Sequence, residues 1–482
     1  MAIGGLPDSQ PIESAHSQPL PRVTLLTMFR LGLFQMGLGI LAVLTLGVLN
    51  RVMINELAIP ASITAGILAI AQFVAPARVW FGQVSDAKPL WGYHRSGYVW
   101  IGAGILTLIL SVAVQAIWHL GDAVQASGGW AGTPETYGWA AVAALMFALY
   151  GLATSVAGTT FFALLVDVSD EDNRGQLVGI VWSLMTVGIA VGGISSKILL
   201  KPLENAGASM ELVRSSVTSL FAIVPAIVLG LSVLAVWGVE KKYSRYESRS
   251  LLANREEELT LRKALKILTA SRQTGLFFTF LVVMTISLFM QEVVLESYGA
   301  EVFGMPIPQT SLLNSFWGIG MLMSLSATGF WVIPRLGKRK TTELGCLMVA
   351  GCFVLIIVSG FTGNAGLFKG MLVVFGLATG IATTGALSLM LDLTAAETAG
   401  TFVGAWGLAQ SVARGTAVAT GGLVLDLGKV LFGMPVIAYG LVFAVQAVGM
   451  ILAIWFLNRV NVQEFRENAQ AAIAAVMAGD LD

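Results

Sequence analysis

Apolar runs of about 20 residues recur along the whole chain, separated by short polar or glycine- and proline-bearing breaks. Each run is long enough to cross a hydrocarbon core of roughly 30 Å as a helix. Barrel strands would alternate polar and apolar residues every second position, and these runs do not. Lipid offers no partner to a free backbone N–H or C=O, so the runs are read as helices. The pattern places spans 1 to 12 at 29–52, 61–83, 97–119, 139–166, 175–199, 215–238, 275–298, 309–333, 342–361, 366–391, 400–426 and 435–458. The expected fold is an all-α polytopic membrane protein of twelve transmembrane helices.

An internal repeat divides the chain. The stretch from Leu149, LYGLATSVAGTTFFALLVDVSDEDNRGQLVGIVW, aligns without a gap on VFGLATGIATTGALSLMLDLTAAETAGTFVGAWG from Val374. Gly151 matches Gly376, Asp167 matches Asp392, and Gly175-x-x-x-Gly179 matches Gly400-x-x-x-Gly404. Span 4, its loop and span 5 thus recur as span 10, its loop and span 11, which implies two parallel six-helix halves. The paired small-xxx-small motifs are expected to let neighbouring helices pack closely.

Composition agrees: 56% of the 482 residues are hydrophobic and 12% charged, against about a quarter charged in soluble domains. Formal net charge is zero, so nothing points to nucleic acid. Lysine and arginine choose an orientation. With the N-terminus cytoplasmic, nineteen lie in cytoplasmic segments and five on the opposite face, a positive-inside distribution with both termini inside. The expected organisation is a flexible cytoplasmic tail at 1–24 and a first helical bundle at 25–238. A cytoplasmic linker at 239–274, a second bundle at 275–458 and a cytoplasmic tail at 459–482 follow. The N-terminal stretch carries four prolines and no basic region before an apolar core, so it does not read as a signal peptide. In the linker, Leu259, Leu261, Ala264, Leu265 and Leu268 suggest a helix on the membrane surface; a solvated linker helix fits as well. Cys346 and Cys352, six residues apart in one apolar run, indicate neither a disulfide nor a metal site.

The loop after span 2 runs from Gly82 through Asp86 to Arg95, a glycine, an acid four residues later and then basic residues. It resembles the loop signature of the major facilitator superfamily, stretched by a few residues. Its second-half equivalent, Gly329 to Lys340, lacks the acid. Four longer stretches resemble one branch of that superfamily, the PucC/LhaA light-harvesting assembly factors of phototrophic bacteria. They are LNRVMINELAIPA (Leu49 to Ala61), APARVWFGQVSD (Ala75 to Asp86), MQEVVLESYGAEVFGM (Met290 to Met305) and GAWGLAQSVARGTA (Gly404 to Ala417). The likeness extends from about Leu25 to Arg459.

The resemblance implies a non-enzymatic factor of the bacterial inner (intracytoplasmic) membrane. Such a factor assists insertion or oligomerisation of antenna polypeptides, above all those of the core antenna LH1, and delivery of bacteriochlorophyll. The implied partners are those polypeptides, the reaction-centre core, chlorophyll synthase, bacteriochlorophyll and membrane lipids. The alternative is a small-molecule transporter working by alternating access, although the first-half spans lack a mid-depth carboxylate. No motif supports a pigment-modifying enzyme.

Charged positions within spans supply the candidate site residues. Arg30 and Arg51, 21 residues or roughly 32 Å apart along a helix, are each expected to snorkel to an interface. Asp167 and Asp392 sit at helix C-termini, where the macrodipole disfavours an anion, so each needs a cation. Arg78 or Arg174 is the candidate for Asp167 and Arg335 for Asp392, as clamps near the gate formed with Gly82, Asp86 and Arg95. Arg414 lies halfway along span 11, where a charge is costly, and is expected to face the bundle interior. Glu292 and Glu296 are its candidate partners, although their depth matches poorly. None of the three histidines is mid-membrane, so no tightly bound cofactor is expected. A transient bacteriochlorophyll site using a glutamine, such as Gln35, Gln72, Gln291 or Gln410, stays open.

Overall fold

The computed structural model describes residues 22–204, 208–244, 272–393 and 399–461. Among these the chain is helical apart from turns and one isolated bridge, between Leu90 and Tyr93. Among the described residues ten helices are long and apolar enough to cross a membrane, and they fall on ten of the predicted spans. Span 1 covers Leu25–Glu56, span 3 Ser96–Ala126, span 4 Pro134–Val168 and span 5 Asn173–Leu199. Span 6 covers Met210–Tyr243, span 7 Arg272–Val293, span 8 Ile307–Leu336, span 9 Lys338–Thr362, span 10 Ala365–Met390 and span 12 Pro435–Asn458.

The other two fall short for different reasons. Span 2 is two helices, Ala61–Phe73 and Ala77–Ala87. Pro76 has no N–H to donate and its ring crowds the preceding turn. The chain crosses that point on short turns, Ala75 N to Gln72 O and Ala77 N to Val74 O. Span 11 lies within the continuous helix Ala399–Leu431, but Gln410, Ser411, Arg414, Thr416 and Thr420 dilute its apolar character.

Two further irregularities lie deep in the bundle. Span 1 widens into π-helix over Val43–Leu49 and again over Val52–Glu56. Span 7 tightens into a 3-10 turn over Met290–Val293 before a new helix, Leu295–Phe303, begins. At the start of the expected linker, after a turn at Gly238, Val239–Tyr243 is a short helix with Val239 and Tyr243 buried. The five apolar positions of the expected surface helix lie outside the described residues.

The sequence repeat is a packing repeat. Gly151 of span 4 meets the backbone of Ala71 in span 2, and Gly376 of span 10 meets the backbone of Trp317 and Met321 in span 8. Gly102 of span 3 meets the backbone at Ala157, and Gly345 of span 9 meets it at Ala382. Ala157 and Ala382 are themselves counterparts in the repeat. Any side chain at these glycines would hold the helices apart, so both halves keep small residues at the same crossings. Among the described residues a Cβ at Gly175 or Gly179 would meet nothing, and the side-chain surroundings of Gly400 and Gly404 lie outside them. Close packing of span 5 instead uses Gly188, whose Cα faces the Met36 carbonyl of span 1, with Gly39 facing the Met185 carbonyl in return.

Gly188→Val should therefore lower stability by about 1–3 kcal/mol or more, the usual range for overpacking a close contact. Gly179→Ala should leave it unchanged. Thermal unfolding of both variants in detergent, followed by circular dichroism, checks the contrast.

Candidate functional site

Charged and amide side chains gather at three levels. The terminal end of the bundle is the one that carries Arg22, Arg95 and Arg459; the far end carries Asn55, Glu301 and Lys429.

At the terminal end Arg95 is buried, 7% exposed, between two carboxylates. Its Nε donates to Asp167 Oδ2 at 2.9 Å, Nη2 lies 2.5 Å from Asp86, and Nη1 donates to Ser85 Oγ at 2.6 Å. Burial works against its charge, but Asp167 and Asp86 outweigh it and hold its pKa above the ordinary guanidinium value. Glu240 accepts the backbone N–H of His94, Arg95 and Ser96 at 2.6, 3.1 and 2.6 Å, capping the uncapped start of span 3. The loop motif is thus one unit tying spans 2, 3, 4 and 6. Gly82 only touches Thr159, 3.6 Å from where its Cβ would be.

This corrects one expected pairing. Asp167 is held by Arg95, and neither Arg78 nor Arg174 is the cation beside it. Arg174 donates instead to Ser169 Oγ at 3.3 Å. Arg335 is exposed and donates to the Trp331 carbonyl of its own helix. The side chain of Asp392 lies outside the described residues.

At mid-depth Arg414 does have a partner, and it is Glu292. Nε donates to Oε2 at 3.1 Å and Nη2 to Oε1 at 2.5 Å, a two-pronged pairing in which both oxygens are engaged. The guanidinium also lies 4.6 Å from the Phe289 ring centre. Glu292 lies in the 3-10 turn of span 7. Gly421 of span 11 lies against the Met290 carbonyl in that turn. Arg414 and Glu292 are 27% and 13% exposed, neither sealed nor open. Glu296 is not a partner: it is 1% exposed and accepts from Asn314, while its Oε2 has no hydrogen bond. Gln291 is buried with its Oε1 unsatisfied, and Gln35 is buried in span 1.

At the far end a clasp joins the two halves, which the sequence reasoning missed. Asn50, fully buried, donates to the Val293 carbonyl at the break in span 7, at 2.7 Å. Arg51 donates to the Met305 carbonyl at 3.1 Å and to Thr310 Oγ1 at 3.2 Å, with Glu56 3.5 Å away. It is 5% exposed, so it does not snorkel; it crosses between halves. Asn55 donates to Glu301 at 2.8 Å, and Lys429 reaches the same oxygen at 2.7 Å. Asp426 of span 11 accepts from Ala61 N at 3.0 Å and Ser62 N at 2.8 Å. Span 2 starts after Pro60, which offers no side-chain cap, so the other half supplies one. The polar letters of Leu49–Ala61 and Met290–Met305 were the available signal, but only contact geometry pairs them.

Glu292→Gln leaves Arg414 charged without its counter-charge. It should cost about 3 kcal/mol, the low end for breaking a buried pair, because Arg414 is partly exposed. Adding Arg414→Met should restore most of the loss. Chemical unfolding of the single and double variants decides: equal instability of both would exclude the pairing as the cause.

The chain resembles known proteins over nearly its whole length. It is 29% identical to "Protein PucC" of Rhodobacter capsulatus, covering 93% of this chain and 95% of the relative. It is 29% identical to an uncharacterised protein from the puhA-bchM intergenic region of the same organism, covering 86% and 83%. It is 28% identical to a R. capsulatus protein named bacteriochlorophyll synthase 44.5 kDa chain, covering 94% and 99%. Solved transporters share the fold. An inward-facing bacterial homologue of the iron transporter ferroportin superposes with a TM-score of 0.66 at 12% identity, covering 91% of this chain and 99% of that one. The inward-open xylose transporter XylE of E. coli gives 0.61 at 14%, covering 92% and 98%. The architecture is therefore that of the major facilitator transporters. The model of the PUCC protein family matches residues 48–465, and the chain belongs to that family.

Proposed function

We propose that this protein is a non-enzymatic assembly factor of the bacterial inner membrane, serving light-harvesting complexes and above all the core antenna. It assists the insertion or oligomerisation of antenna polypeptides and the delivery of bacteriochlorophyll, with both termini cytoplasmic. The observation that carries the reading is where the family-like stretches lie. Leu49–Ala61 and Met290–Met305 supply Asn50, Arg51, Asn55, Val293, Glu301 and Met305 to one clasp between the halves. Two of the four family-like stretches thus meet at the contact between the halves. The reading takes antenna polypeptides as the principal partners, with the reaction-centre core and chlorophyll synthase beside them.

Purification of the tagged chain from phototrophic membranes tests this. Bacteriochlorophyll absorbance together with antenna or core polypeptides in the eluate is the expected result. A colourless protein recovered alone from gently solubilised membranes would sink the reading.

A second reading, small-molecule transport by alternating access, is favoured by one observation. The halves are linked at the far end by side chains that can let go, and an ion pair stands at mid-depth. Asn55→Cys with Glu301→Cys, bridged by a short bismaleimide, would lock that end; Cys346 and Cys352 are buried, 0% and 3% exposed, and should not compete. Transport predicts that the bridge, or Arg414→Ala, abolishes uptake into proteoliposomes. Antenna assembly that persists with the bridge in place would favour a factor that works without rocking.

A further inference from the structure

Spans 2 and 11 run antiparallel along the border between the halves, and their contacts step down the bundle. Asp426 caps Ala61 and Ser62, Gly422 meets Ala61 and Ala65, Gly415 meets Gln72 and Phe73, and Ser411 meets Arg78. The last step places a second guanidinium within electrostatic reach of Arg414. Arg414 is neutralised by Glu292 through both carboxylate oxygens. Arg78 has no carboxylate partner among the described residues. Its hydrogen bond among the described residues is one long contact, Nη1 to Ser411 Oγ at 3.5 Å. Asp167, the acid that would have served it, is taken by Arg95.

A guanidinium carries five N–H donors in a fork matched to carboxylate and phosphate oxygens. Held half-buried beside another cation, without a counter-charge, it destabilises the bundle unless an anion comes to it. The surroundings suit a ligand with an apolar body. Phe73 is 43% exposed and lies against Gly415, next to Arg414; Phe289 lies under Arg414, and the half-buried Tyr150 of span 4 lies in its field. The Ser411 hydroxyl donates to the Gly407 carbonyl at 3.1 Å and accepts from Arg78, which holds it beside the guanidinium.

We propose that Arg78, with Ser411 and Arg414 beside it, forms a mid-bundle binding site for an amphipathic anion. The carboxylate or phosphate head pairs with Arg78, and the apolar body lies along Phe73, Tyr150 and Phe289. The site draws residues from both halves, so occupancy also joins spans 2, 4, 7 and 11. This inference rests on the unmatched charge and its neighbours, and stands apart from the assembly and transport readings.

The test is calorimetric titration of the full chain in a non-ionic detergent with dodecyl phosphate, laurate, dodecanol and inorganic phosphate. The two amphipathic anions should bind saturably, at least about tenfold more tightly than dodecanol, a gap of about 1.4 kcal/mol. Arg78→Gln should remove that preference. Ser411→Asp, which sets a carboxylate beside Arg78, should remove it too and raise the unfolding temperature. It also serves as the second variant should Arg78→Gln fold poorly. Native mass spectrometry separates the sources. A phospholipid retained by the wild type and lost in Ser411→Asp assigns the head to lipid. Competition by inorganic phosphate without a retained lipid assigns it to a free anion. Equal affinity for dodecanol and dodecyl phosphate would overturn the site, as would full binding by a folded Arg78→Gln or Ser411→Asp variant.

Discussion

Everything distinctive in this bundle follows from the rule that an irregular backbone in an apolar interior must find partners for its polar groups. Span 7 breaks at Met290–Val293, and the break persists because Asn50 donates to the Val293 carbonyl from the facing span. Facing it, span 1 is itself widened into π-helix on both sides of Asn50, which reorients the side chains that reach across. The two irregularities therefore support one another. The turn in span 7 also carries Glu292 to Arg414, so the same departure from regular helix provides the mid-depth pairing. A straight span 7 would lose both.

Charges are distributed by a related logic. Each buried cation is either matched or placed at a junction. Arg95 takes two carboxylates and welds the loop after span 2 to spans 3 and 4. Arg51 spends its donors on a carbonyl and a hydroxyl of the other half, with Glu56 nearby. Carbonyl acceptors bind without adding a second full charge to the interior. The terminal-end cluster lies within the first half, whereas the far-end clasp runs between halves. The described polar links across the halves are accordingly richer at the far end.

Much of the fold was legible in the sequence. Run length and the constant-offset repeat place the helices and the two halves, and Gly151 with Gly376 shows that the repeat records real contacts. Arg414 was legible as an interior residue because a charge halfway along a span has nowhere else to go. Partner choice was not legible, because it depends on local helix geometry. Glu292 looked too shallow for Arg414 on a continuous helix, and Arg95 was read as part of the loop motif while Arg78 and Arg174 were the cations offered to Asp167. Arg51 was misread for the same reason. Its distance from the span centre fits an interface anchor, and only the crossing chain at Met305 and Thr310 converts it into an inter-half contact. Small-residue spacing misled at Gly175 and Gly179, since the same spacing on the open side of a helix meets no neighbour.

The cap that Asp426 provides for span 2 has a consequence for the order of biosynthesis. The donor N–H groups of Ala61 and Ser62 and the carboxylate that accepts them are separated by about 365 residues of chain. At roughly 5–20 residues per second, the ribosome needs between about 20 and 70 s to deliver the second after the first. Throughout that interval the first half waits in the membrane with one helix end unfinished, and its clasp residues stay unmatched until the partners 243 to 259 residues further on are made. The nascent half is thus a long-lived intermediate whose polar edge is open to insertion machinery, water or a neighbouring polypeptide until its own partner arrives.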